Sequence, residues 1–121
     1  MCETNLDKYE YTLMDDSLNS LKNVDTMDDP QELIDHAITL LRKSEKLKES
    51  NLSIAAQAFI CENLILAANQ ALDRAEKSAP IHENTQEIIM NLMGKAHDLL
   101  QMLNDEINEE FESMLINLFH K

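Results

Sequence analysis

Glycine, proline and tryptophan are nearly missing from this chain of 121 residues, which has one glycine, Gly94, two prolines, Pro30 and Pro80, and no tryptophan. So few turn formers exclude a fold built on tight hairpins, and three phenylalanines with two tyrosines are a thin supply for packed strands. Bases are scarce as well, 10 against 23 acids, for a formal net charge of -13. A chain this acidic is repelled by phosphate backbones and by anionic bilayers, so neither direct nucleic-acid binding nor membrane attachment is expected. Long apolar runs are absent too. The richest, Leu64 to Ala68, is bounded by Asn63 and Asn69, far short of the ~20 residues that cross a bilayer. Met1 to Glu10 is polar and acidic, without the basic start and apolar stretch of a signal peptide. The two cysteines, Cys2 and Cys61, have no metal-ligand spacing and fit a reducing, cytoplasmic setting.

What the chain has is leucine, isoleucine, methionine, alanine, lysine and glutamate at helical spacing, and the expected class is all-α. The pattern predicts a three-helix antiparallel bundle with a long C-terminal helix, over residues 29–121. Ahead of it, residues 1–28 read as a weakly ordered acidic N-terminal arm. Leu13, Met14, Leu18, Leu21 and Val24 allow at most a short helix there.

Three helix starts are written in capping chemistry. Asp29-Pro30-Gln31-Glu32 predicts a helix over 29–48, with Asp29 accepting from the Glu32 amide and Pro30 losing no needed donor. Ser50 or Asn51 can cap a second helix over 52–77, which Ser78-Ala79-Pro80 stops. Asn84-Thr85-Gln86-Glu87 signals a third, over 84–119.

The second helix is apolar on two sides. Ile54, Cys61, Leu64, Ile65, Ala68, Ala71, Leu72 and Ala75 form a broad core face at 100° per residue, where Cys61 reads as an inert core thiol. Leu52, Phe59 and Leu66, seven apart, form a narrow stripe roughly opposite. The third helix carries Ile89, Met93, Ala96, Leu100, Leu103, Ile107, Phe111, Met114 and Leu118 at coiled-coil spacing. At ~1.5 Å per residue it is the longest helix and overhangs its partners, so the seam from Ile107 to Leu118 needs a cover.

No catalytic motif is present. The four histidines stand far apart, with no HExxH or Glu-x-x-His pair, no glycine-rich phosphate loop and no nucleophile elbow. The expectation is therefore no enzyme, no metal and no cofactor. Five carboxylates, Asp105, Glu106, Glu109, Glu110 and Glu112, crowd eight residues of the third helix. Such a run is usually a solvated face, but Asp105, Glu109 and Glu112 could also dock a basic protein.

The functional expectation is a small acidic interaction protein that binds and regulates, inhibits or chaperones another protein, as a homodimer. Its contact residues would be Leu52, Phe59 and Leu66 on the second helix and Ile107, Phe111, Met114 and Leu118 on the third. The competing expectation is an acidic inhibitor that takes the place of nucleic acid on a basic nucleic-acid-binding protein.

Overall fold

A computed structural model describes residues 5–120. Among them there are helices and no strand: α1 (Asn5–Asn23), α2 (Pro30–Glu45), α3 (Ile54–Ser78) and α4 (Glu83–Phe119), with single 3-10 turns at Val24–Thr26 and Leu47–Glu49. The all-helical expectation holds, but the helices number four, not three. Cys2 lies outside the described residues.

The expected weakly ordered arm is instead α1, a helix of five turns docked on α3. Leu13, Met14 and Leu21 pack against the core and Val24 is fully buried. A buried polar pair holds the middle of the contact. The Asn63 amide donates to Ser17 Oγ at 3.1 Å, and Ser17 donates in turn to the Met14 carbonyl at 2.6 Å, so neither group is left unpaired.

Three cross-contacts set direction. The Glu10 carboxylate accepts from the Ser53 amide, Ser17 meets Asn63, and the Met27 carbonyl accepts from Arg74 Nη2 at 2.9 Å, so α1 and α3 run the same way. Helices α2 and α4 both pack on α3 and on each other. Cys61 Sγ lies 3.6 Å from the Ala96 carbonyl, while Ile54 and Glu106 line one groove, so α4 runs against α3. Lys95 Nζ, 3.9 Å from Glu45, ties α4 to the end of α2.

The caps differ in detail from the sequence expectation. Asp29 accepts from the Gln31 amide at 3.3 Å, one residue earlier than Glu32. Ser53, not Ser50 or Asn51, caps α3 by accepting from the Ala56 amide at 3.2 Å. The chain is held in a 3-10 turn up to Glu49 and α3 starts only at Ile54, so it is Ser53, extended and immediately ahead of the first turn, whose hydroxyl reaches the free amides. At α4 the cap is His82, whose Nδ1 accepts from the Asn84 amide at 3.2 Å. The lone glycine serves no turn. Gly94 sits inside α4 with open space where a Cβ would stand.

The core centres on α3, whose buried arc is wider than the sequence suggested. Besides Cys61, Leu64, Ile65, Ala68, Ala71 and Ala75 it includes Ala56, Gln57, Ala58, Ile60, Asn63 and Ala67, whereas Leu72 is only half-buried. Three helices lean on this one, and alanines at six of these positions let their backbones approach closely. Gln57 is satisfied by donating to the Leu52 carbonyl at 2.8 Å. Burial pushes the Cys61 thiol up to about 11, with the neighbouring Glu62 charge adding to the effect. Cys61 is a core residue, as expected.

Candidate functional site: the projecting half of the last helix

Helix α4 is 37 residues long, about 55 Å at ~1.5 Å per residue. Its inward stripe buries Ile89, Leu92, Ala96 and Leu103, with Met93, Leu99, Leu100 and Ile107 half-buried beside them. Ile54, the first residue of α3, stands at the level of Glu106 to Met114. Beyond that level neither α2 nor α3 has backbone to offer, yet the stripe continues in phase. Relative to Ile107, the 100° step of a helix puts Phe111, Met114 and Leu118 within about 40° of the same line.

Every residue from Asn108 to His120 is exposed. Phe111 is 59% and Met114 68% accessible, and Leu118 reaches 66%. Leu115 and Phe119 widen the stripe on one flank, two residues that the expected set did not include, and both are exposed. The overhang anticipated from helix length is therefore present, and Ile107 marks the point where the core face becomes a bare face.

The carboxylates frame this stripe. Asp105, Glu109 and Glu112 are fully exposed on the side away from the seam, and Glu106 is half-buried. Glu106, Glu109 and Glu110 line a groove whose apolar part is Ile54 and Met114. Among the described residues the ion pairs are Arg74 with Asp28 at 3.4 Å and Lys95 with Glu45 at 3.9 Å. Among the described residues none of the acids from Asp105 to Glu112 has a cation in contact.

The second expected stripe does not exist as a unit. Leu52 precedes α3 and is buried at 5% exposure, under the end of α2 and beside α1. Phe59 and Leu66 are on the open arc of α3, 37% and 44% exposed, between the side that meets α1 through Asn63 and the side that meets α4 through Cys61. The split has a plain cause: α3 begins two residues later than expected, so Leu52 is in the connecting segment and does not follow the helical phase. Phe59 and Leu66 belong to neither core nor seam.

Of the histidines, His36 is half-buried with Nε2 3.4 Å from the Ser20 carbonyl, and His82 is the α4 cap. His97 and His120 are exposed. Among the described residues no three histidine, cysteine or acidic side chains converge as metal ligands, and no helix is long and apolar enough to cross a membrane. Sequence reasoning also missed a cleft between α1 and α2, bordered by Lys43 and Lys46. Its one signal in the sequence was the excess of bases over acids in residues 33–50.

Comparison with family models, with curated proteins and with solved structures found no match.

Proposed function

We propose that this chain is a non-enzymatic interaction protein that binds and regulates, inhibits or chaperones another protein, and that it works as a homodimer joined through the projecting half of α4. One observation carries the reading: the core-facing stripe of α4 runs on to and past the level of Ile54, where α3 begins, as Phe111, Met114 and Leu118, all exposed. A contiguous apolar face on a single projecting helix is costly to hydrate and is the usual mark of an interface. A two-fold contact is the commonest way for such a face to be covered, because the same patch then serves both partners. Phe59 and Leu66 remain outside this contact and are available to a second protein.

The acids favour one further reading, in which the chain inhibits a basic nucleic-acid-binding protein. Asp105, Glu109 and Glu112 are exposed and have no ion pair among the described residues. Salt separates the two. Two copies of a chain at -13 repel, so the homodimer tightens as moderate salt screens that repulsion, whereas a complex with a basic protein weakens. Sedimentation over a range of concentrations at two ionic strengths is the test. A species of 13.9 kDa at every concentration and both salts overturns the homodimer.

A further inference from the structure

Helices α1 and α2 both lie on α3 but make few direct contacts with each other, and the space left between them is a cleft of about 310 Å³. Its floor is Leu52, Ile60 and Leu64, and Leu13 closes it on the α1 side. Lys43 and Lys46 stand at its rim, opposite Asp16. We infer that this cleft binds a small monoanionic amphiphile of the medium-chain fatty-acid class, its alkyl chain on Leu13, Ile60 and Leu64 and its carboxylate between Lys43 and Lys46.

The donors left free in the cleft decide the head group. Ser17, Ser20 and Ser50 line it, but each hydroxyl already donates to a backbone carbonyl of its own segment, Met14, Asp16 and Leu47 respectively. The lysine ammoniums carry the positive charge of the rim, and neither has an ion pair among the described residues. Asp16 offsets one of them. One positive charge is then in surplus, which matches a monoanion and leaves a dianion undercompensated.

Size and lining decide the body. Ligand pockets hold ~300–1,000 Å³ and are mostly apolar with a few placed polar groups. This cleft is at the lower end, which suits one short acyl chain and not a two-chain lipid. Its position also matters. On a chain with an overall charge of -13, residues 33–50 carry four bases against three acids, and the cleft is where two of those bases stand over apolar surface.

The inference is independent of the α4 seam, and its test uses the full chain. The probe is anilinonaphthalene sulfonate, a monoanionic fluorophore, with decanoate and decanol as competitors below their aggregation limits. One probe per chain is expected, displaced by decanoate about tenfold more readily than by decanol. The double variant Lys43→Gln/Lys46→Gln removes that preference, because exposed charge pairs contribute ~0.2–1 kcal/mol each and two together approach a tenfold effect. Ser20→Phe, which fills the cleft, abolishes displacement by both competitors. Should that variant fail to fold, the surface lysine pair still decides. Equal competition by decanol and decanoate overturns the inference. So does a decanoate affinity that ignores the lysine substitutions, or a probe signal lost in Phe111→Glu/Met114→Glu, which would place the ligand on α4.

Discussion

Replacing Phe111 and Met114 together by glutamate separates an interface role from a folding role. In the isolated chain these side chains are 59% and 68% exposed and belong to no part of the buried core. Their loss therefore removes little packing. The introduced acids stand three residues apart, the one at position 114 is also one turn from Glu110, and like-charge pairs at that spacing cost ~0.2–0.5 kcal/mol each. Glutamate is at least as good a helix former as phenylalanine. The summed effect on folding is under about 1 kcal/mol, a fall in Tm of roughly 3–6 °C for a domain of this size. Association is a different matter. In a two-fold contact each substitution is felt twice, and central apolar anchors contribute ~1–2 kcal/mol each. The dimer should weaken by about 4 kcal/mol, close to a thousandfold in Kd. Sedimentation velocity reads the second effect and thermal unfolding the first, with Phe111→Leu as a control that keeps the apolar face. A wild-type dimer left intact by the double variant would refute the reasoning, as would a Tm loss above about 10 °C, which would mean that the chain's own packing covers the seam.

Four further outcomes follow from the fold. Leu41→Ala, at a fully buried position of α2, should cost about 2–5 kcal/mol in urea unfolding, whereas Leu66→Ala on the open arc of α3 should cost far less. Ser53→Ala removes the α3 cap bond to the Ala56 amide and should cost about 1 kcal/mol without changing helix content by circular dichroism. Gly94→Ala should raise stability by about 0.5–1 kcal/mol, since the position is mid-helix, exposed and open to a Cβ. The Cys61 thiol, raised to about 11 from 9.0, gives stability that is complete below pH 9 and is lost as pH rises towards 11, because only the unfolded chain ionises in that window. Comparison with Cys61→Ala at pH 8 and pH 10.5 cancels the tyrosines and lysines, and an identical loss in both proteins would contradict the buried thiol.

Helix α4 was legible because its heptad spacing persists for nine positions and every one of them is a large apolar residue or Ala96. Helix α1 was not, because its inward line passes through Leu13, Ser17, Leu21 and Val24, and the polar residue in the middle breaks the apolar count on which the helical pattern depends. Ser17 is buried against Asn63, 46 residues away, whose amide donates to it. A pairing of that kind is invisible until the fold exists. The same omission misplaced Leu52: with α1 absent from the expected fold, an apolar side chain next to α3 had no inner surface to pack on and was given to an interface. Once α1 is in place, Leu52 has a seat in the core, and Phe59 and Leu66 lose their supposed companion.

The direction of the helices brings together charges that the sequence keeps apart. Because α1 runs with α3 and α4 runs against it, the start of α1 and the end of α4 meet at the end of the bundle where α3 begins, as Glu10 beside Ser53 and Glu106 beside Ile54 both mark. Glu10 from α1 and Glu106, Glu109 and Glu110 from α4 thus share one pole of the molecule, and the bare stripe of Phe111, Met114 and Leu118 is at that same pole. A field of one sign around an apolar anchor discriminates among partners, since like charge slows approach and opposite charge speeds it, while the anchor supplies the affinity. Under the proposed interface role, an identical chain would fit the seam only where the acids are held at the rim of the contact, with Glu109 and Glu112 turned to water. A basic chain would fit it without that restriction. Apolar phase decides where this protein can be touched, and the convergence of its two acidic ends decides what can approach it.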